Sequence, residues 1–218
     1  WEVLRRKDPE AFAPATAQVL AWHRRQADAY ERARRWNLVV SNLDPVIEAT
    51  PADWQLRGRR AFAYAELGEW ERATADYEKA IALKPDYMEA YYNQGNVLRE
   101  LRKFDAAIAL YDKAISIKPD SAAAYNNRGI ARQEPQQLDA AMADFDRAIA
   151  IAPDYAEAYA NKALIFLLQG DLATGFELYE WRLKIGPSNE MLQRFSQPLW
   201  LGVERTYVSS NIQRVTFT

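Results

Sequence analysis

Three asparagines recur at a spacing of 34 residues along this sequence, at Asn93, Asn127 and Asn161. One and two spacings earlier the same column holds Arg59 and Arg25. A primary amide carries N–H donors and a carbonyl acceptor, the groups that pair with the main chain of an extended peptide. The column therefore predicts a row of polar side chains that binds a peptide. Local hydrogen bonding is the alternative explanation of the asparagines.

The residue types that carry most enzyme chemistry are scarce. There is no cysteine and only one histidine, His23, which leaves little room for a metal site or a Ser-His-Asp relay. Paired carboxylates such as Asp144 and Asp146, or Glu177 and Glu180, could act in acid–base catalysis, but a solvated helix face explains them without a pocket. The glycines are isolated and form no phosphate-binding loop. We therefore expect a chain that is not an enzyme, with no catalytic residue, no metal and no cofactor.

The charge balance narrows the class of partner. Lys and Arg number 28 and Asp and Glu 30, giving a net charge of −2. This balance argues against binding driven by nucleic-acid phosphates. The longest apolar run, residues 163–168, is far shorter than the roughly 20 residues that cross a bilayer. We expect a protein or peptide partner, no nucleic acid and no membrane insertion, with self-association left open. The absence of cysteine fits any redox compartment, so none is assigned, although the cytoplasm is slightly favoured.

Prolines reveal the elements that must position these side chains. Five of them lie 34 residues apart, and they are Pro51, Pro85, Pro119, Pro153 and Pro187. They divide residues 20–189 into five units, 20–53, 54–87, 88–121, 122–155 and 156–189. In the third unit, apolar and small residues follow a helical period over residues 88–102 and again over 104–117. Proline ends the second helix because it cannot continue it. Each unit is thus predicted to be a helix pair.

The third unit carries the fullest signature, made of Tyr91, Gly95, Leu98, Ala107, Tyr111, Ala114 and Pro119. This pattern resembles the tetratricopeptide repeat family. The resemblance implies an all-α fold, a right-handed α-solenoid or superhelix of about five helix-turn-helix units with a concave groove. It also implies a protein-binding scaffold. The asparagine column is similar to the asparagine ladder in the repeats of the O-linked N-acetylglucosamine transferase, where amides hold peptide main chain.

The groove is expected on the face of each first helix that points away from the core. Glutamates there favour Lys or Arg on the partner, apolar residues suit one hydrophobic anchor, and the N-terminal arginines favour an acidic part of the ligand. The expected peptide-binding residues are Arg25, Arg59, Glu89, Asn93, Asn96, Glu100, Asn127, Ile130, Glu134, Glu157, Asn161 and Leu164.

The ends and the first unit depart from the repeat pattern. Residues 1–19 are expected to form an N-terminal cap or helix extension, and residues 190–218 a C-terminal capping segment with an extended tail. The stretch from Val203 to Thr218 lacks alanine and is rich in β-branched residues, so it should not be helical. Pro45 falls inside a predicted helix, where proline costs about 3 kcal/mol. We expect a break at Asp44–Pro45.

Two alternative functions stay open. The segments GFELYEWR at 175–182 and RFSQPLW at 194–200 resemble the junction in bacterial proteins where such repeats precede a glycosyltransferase-like domain. The chain would then be the substrate-selecting arm of a larger enzyme whose catalytic domain is absent. The other alternative is an engineered, chimeric or self-assembling repeat protein with no evolved ligand.

Overall fold

The computed structural model describes the backbone of residues 9–133, 137–184, 203–208 and 211–217, and the side chains of residues 16–133 and 137–183. The chain divides into two compact units, which we call unit 1 (Trp1–Pro119) and unit 2 (Asp120–Thr218). Each is described by itself.

Unit 1 consists of three successive helix pairs in its described part. The pairs are α1 (Pro9–Arg32) with α2 (Trp36–Ala49), α3 (Trp54–Glu66) with α4 (Trp70–Leu83), and α5 (Met88–Glu100) with α6 (Phe104–Ile117). Each first helix packs against the second helix of its pair, and α3 also packs against α2 before it. The turns within the pairs pass through left-handed backbone at Arg34, Gly68 and Arg102. Glycine adopts that conformation without strain, whereas arginine does so at a cost.

Small residues set the helix spacing in unit 1. Ala61, Ala73 and Ala107 are fully buried, so neighbouring helices approach closely. Gly95 shows the limiting case, because a Cβ there would lie 2.7 Å from the ring of Tyr111. The aromatic ring of α6 therefore fits against α5 only because residue 95 has no side chain.

Unit 2 contains two further helix pairs, α7 (Ala122–Gln133) with α8 (Leu138–Ile151) and α9 (Ala156–Leu168) with α10 (Leu172–Tyr179). A short 3₁₀ helix, Glu180–Lys184, follows, and Trp181 within it stacks on Tyr159 with ring centres 3.9 Å apart. Ala141, Phe145 and Ile165 form a buried cluster. Strands β1 (Val203–Val208) and β2 (Asn211–Phe217) pair antiparallel, with Val203 opposite Phe217.

The predicted fold class is confirmed for the described part of the chain. Ten α-helices follow one another in pairs, and the described tail residues are extended rather than helical. The two tail strands pair with each other, which the sequence pattern did not specify.

The predicted break at Asp44–Pro45 is wrong, because α2 runs without interruption from Trp36 to Ala49. The residues around the proline, Leu43, Val46 and Ile47, are buried in the core of unit 1. Packing of this apolar face outweighs the amide hydrogen bond that proline cannot make. Pro45 cannot donate to the carbonyl of Ser41, its usual helical partner, and Ser41 is an exposed residue that water can reach.

Candidate functional site

Arg59, one of the basic residues expected at the N-terminal end of the groove, is paired with acids in the structure. The Arg59 guanidinium is 2.6 Å from Oδ1 of Asp28 and 2.9 Å from Oε1 of Glu31. Burial would lower the pKa of Arg59, but the bonds and charges of Glu31 and Asp28 outweigh it and raise the pKa. Arg59 therefore lies between two carboxylates, whereas Arg25 is exposed on α1.

The first helices of unit 1 enclose a surface pocket of about 620 Å³. We call it the unit 1 pocket; its lining includes Arg24, Asp28, Trp54, Arg59, Tyr87 and Glu89. Two of these residues, Arg59 and Glu89, belong to the predicted groove. The rings of Trp54 and Tyr87 meet edge to face with centres 4.6 Å apart. Tyr87 fits there because residue 58 is glycine, whose added Cβ would lie 2.7 Å from the tyrosine ring.

Asn93 lies on α5, four residues after Glu89 and hence on the same helix face. It is half-buried, and its amide has no hydrogen-bond partner among the residues that the structure describes. Asn96, three residues later, accepts a hydrogen bond from the Tyr111 phenol at 2.7 Å. Of these two predicted groove residues, Asn93 thus keeps its bonding capacity for a ligand or water, while Asn96 helps to position a core aromatic residue.

The asparagines of unit 2 belong to a hydrogen-bonded chain that the sequence did not reveal. Asn161 donates to Oδ1 of Asn126 at 3.0 Å, and Asn126 donates to Oδ1 of Asn127 at 3.2 Å. Asn126 is buried, whereas Asn127 and Asn161 are half-buried. Gln133 also donates to the main-chain oxygen of Asn161 at 3.5 Å. These amides therefore join α7 to α9 in addition to any contact with a ligand.

The other predicted groove residues differ in how they are placed. Glu100 is exposed and pairs with Arg99 at 2.9 Å, and Glu157 is exposed near the start of α9. Ile130 packs against the buried cluster of unit 2, so it serves the core. Leu164 is 42% exposed and fits the expected apolar anchor. Glu134 lies outside the described residues.

The sequence pattern missed several residues that shape this surface. The repeat pattern does not single out Trp54 or Tyr87, although both line the unit 1 pocket. Nor does the pattern distinguish the buried Asn126 from its half-buried neighbour Asn127. The only sequence signal of Asn126 is that Tyr92 occupies the same place one repeat earlier, so a polar residue replaces an aromatic one.

His23 and Asp144, two residues of types that enzymes use, are both paired with neighbouring side chains. His23 donates from Nδ1 to Oδ1 of Asn42 at 2.9 Å. The expected solvated position of Asp144 is wrong, because its carboxylate is buried between Arg128 and Arg132. Within the described ranges, no three potential metal-binding side chains cluster together. Nor is any helix described here long and apolar enough to cross a membrane.

Comparison with known proteins agrees with this architecture. A family model described as TPR repeat matches residues 62–101 and 95–136, and a second, Tetratricopeptide repeat, matches residues 126–190. No curated protein matches the sequence.

Solved structures share the fold at low sequence identity. A MamA RS-1 double mutant superposes with a TM-score of 0.70 at 19% identity, covering 79% of this chain and 97% of that one. MamA from Desulfovibrio magneticus RS-1 gives 0.70 at 18% identity, covering 82% and 98%. YrrB, described as a TPR protein with an unusual peptide-binding site, gives 0.60 at 17% identity, covering 77% and 87%.

The two family models together span residues 62–190, more than half of the 218-residue chain. The helix pairs and the superposed structures show the same α-solenoid fold. The chain belongs to the tetratricopeptide repeat family.

Proposed function

We propose that this chain is a non-catalytic scaffold that binds an extended peptide, or an extended segment of a partner protein, on its first-helix surface. Each unit has its own first-helix surface, which is the exposed faces of α1, α3 and α5 in unit 1 and the exposed faces of α7 and α9 in unit 2. Asn93 carries the proposal, because its half-buried amide has no hydrogen-bond partner within the described part of the molecule. An amide in that position offers donors and an acceptor to a peptide main chain.

Two further observations support the proposal. The unit 1 pocket opens on the same face of α5 that carries Asn93, so polar and aromatic groups lie together there. In unit 2, Leu164 and Leu168 are exposed one turn apart on α9, and Leu168 is 76% exposed. An exposed apolar pair beside polar amides is typical of an interface, where a few apolar anchors carry much of the affinity.

The test starts from a peptide that binds the chain. Linear peptides selected from a random display library are synthesised and titrated by calorimetry against the wild type and an Asn93→Ala variant. Loss of an amide that bonds a desolvated main chain costs about 1–3 kcal/mol, so we expect the variant to bind at least about fivefold more weakly. Asn37→Ala is the matched control, since Asn37 is an exposed asparagine on a second helix, α2.

Two outcomes of this experiment would contradict the proposal. Equal affinity of the wild type and Asn93→Ala, with helicity unchanged, would contradict main-chain binding at Asn93. Failure to select any binding peptide would contradict the scaffold role of this surface. Asn127→Ala and Asn161→Ala are poorer tests, because each also removes a hydrogen bond of the buried Asn126.

The alternative of a glycosyltransferase-like arm rests on the resemblance of residues 175–182 and 194–200. The first of these segments includes Gly175, where an added Cβ would lie 2.5 Å from Leu167, and Trp181, which stacks on Tyr159. Both contacts account for part of GFELYEWR as packing of the last helix pair. Sequencing the native gene beyond the codon for Thr218 tests the idea, which requires an α/β region downstream.

A self-assembling or engineered repeat protein is the other alternative. Light scattering of the purified chain over a range of concentrations separates it from a scaffold that binds peptides as a monomer. A mass that rises with concentration would favour self-assembly.

A further inference from the structure

The unit 1 pocket has an electrostatic character that the repeat pattern does not predict. Its volume of about 620 Å³ accommodates a long side chain together with the main chain that carries it. The pocket lies between α1, the start of α3 and the start of α5. Its occupant is therefore constrained by groups from three helices.

Both arginines of the pocket are already paired with carboxylates. Arg59 contacts Asp28 and Glu31, and Arg24 is 3.3 Å from Asp53. The lining carries two positive groups, Arg24 and Arg59, and three acids, Asp28, Asp53 and Glu89, so its net charge is −1.

Glu89 is an acid of the pocket whose carboxylate can pair with a cationic ligand. Its side chain is exposed and forms no ion pair with another described residue. Its carboxylate lies close enough to Tyr87 to affect it, since burial raises the pKa of the Tyr87 phenol and the charge of Glu89 raises it further. A negative charge thus stands beside an aromatic ring at the pocket.

The aromatic part of the pocket suits the apolar stem of a cationic side chain. Trp54 and Tyr87 meet edge to face, and the ammonium group of Lys84 lies 5.2 Å from the centre of the Trp54 ring. The protein's own lysine thus makes the cation–π contact that this indole supports. Lys and Arg side chains place their methylene groups along such rings while the charged end stays hydrated or paired.

We propose that the unit 1 pocket receives a lysine or arginine side chain of an extended peptide. The methylene stem packs against Trp54 and Tyr87, and the charged end pairs with Glu89 and with Oδ2 of Asp28, the oxygen that Arg59 does not contact. An acidic side chain is disfavoured there by the net negative charge. This inference rests on the proposed function and specifies what sequence the bound peptide carries.

The experiment uses three capped tripeptides that differ in one side chain, Ac-Ala-Lys-Ala-NH₂, its norleucine analogue and its glutamate analogue. Each is titrated into the ¹⁵N-labelled full chain at low salt, and the indole N–H resonance of Trp54 is followed, identified with a Trp54→Phe variant. We expect the lysine peptide to shift this resonance and to bind at least about fivefold more tightly than the norleucine peptide. Equal binding of these two peptides, or tighter binding of the glutamate peptide, would overturn the inference.

A charge-neutral variant gives the second readout. Glu89→Gln keeps the shape of the side chain and removes no ion pair of the described structure, so the fold should be retained. We expect it to weaken the lysine peptide at least about threefold. Glu78→Gln, an exposed glutamate on the second helix α4, is the matched control and should leave binding unchanged. Identical effects of the two variants would contradict the inference.

The outcome is separable from that of the proposed function. If selected peptides lose affinity for Asn93→Ala but not when their lysine is replaced by norleucine, the scaffold role is supported and the cation pocket is contradicted. If neither change alters their affinity, the scaffold role and the cation pocket are both contradicted.

Discussion

Tyr111 on α6 donates a hydrogen bond from its phenol to Oδ1 of Asn96 on α5, 2.7 Å away. One repeat later the two positions hold Phe145 and Ile130, so the donor and the acceptor are both replaced by apolar residues. Neither arrangement leaves a side-chain polar group unpaired at these two positions. Tyr111 and Asn96 bond to each other, and Phe145 and Ile130 carry no polar group. The pair shows how a repeat exchanges a buried hydrogen bond for apolar packing.

The preceding repeat has the phenol donor but lacks its acceptor, and this difference predicts an effect on stability. Tyr77 retains the phenol, but Phe62 replaces the acceptor, and the buried Tyr77 oxygen has no hydrogen-bond partner in the described structure. An unsatisfied buried polar group costs about 1–3 kcal/mol. Tyr77→Phe should therefore raise the free energy of unfolding or leave it unchanged, whereas Tyr111→Phe should lower it by about 1 kcal/mol. Urea unfolding followed by circular dichroism checks the order, and a greater loss for Tyr77→Phe would contradict it.

The same two tyrosines predict how stability depends on alkaline pH. Burial raises the pKa of both Tyr77 and Tyr111 in the folded chain. The unfolded chain loses these protons near pH 10 while the folded chain keeps them. Their contribution to stability is thus complete below about pH 10 and is lost as the pH rises toward the folded-state pKa. Unfolding midpoints between pH 9 and 12 should fall less steeply in Tyr77→Phe, and parallel curves would count against this account.

Two aspartates on α8 provide a matched pair for the ion-pair energetics. Asp144 has a 4% exposed side chain and binds Arg128 and Arg132, the latter at 2.8 Å, whereas Asp146 is 57% exposed and pairs with Lys162. Asp144→Ala removes the carboxylate that pairs with two partly buried guanidinium groups and should cost about 3–5 kcal/mol. Asp146→Ala should cost at most about 1 kcal/mol, because the pair is solvated. Similar thermal shifts for the two variants would refute the distinction.

Pro45 provides a test of helix α2. Because α2 is continuous through this residue, Pro45→Ala restores an amide donor without changing the backbone path. We expect a gain of up to about 3 kcal/mol in unfolding free energy and slower amide exchange in α2. Pro51→Ala is the control, since Pro51 is exposed in the turn before α3. A gain no larger than that of the control would show that the proline causes no strain.

The helical pairs could be predicted from the sequence because their signals are local and repeated. Small and aromatic residues at fixed offsets specify which helix faces meet, and Gly95 against Tyr111 shows the contact that the pattern encodes. The break predicted at Asp44–Pro45 is wrong because the low helix propensity of proline is outweighed by the burial of Leu43, Val46 and Ile47. Packing energy depends on partners from other helices, which a single stretch of sequence does not show.

The candidate site was harder to predict because its properties come from pairs distant in sequence. The charge of Arg59 is neutralised by Glu31 and Asp28, which precede it by 28 and 31 positions. Asn161 bonds to Asn126, which lies 35 positions earlier. The column of equivalent positions identified which residues share a face. It did not show which of these side chains are already hydrogen-bonded or ion-paired within the fold.

The most direct test of the scaffold account is chemical-shift mapping of a selected linear peptide on the ¹⁵N-labelled full chain. The account predicts that the largest amide shifts fall in the first helices, in α1, α3 and α5 of unit 1 or α7 and α9 of unit 2, and include the side-chain amide of Asn93. Shifts confined to the second helices α2, α4, α6, α8 and α10 or to the tail, with the Asn93 amide unmoved, would contradict it.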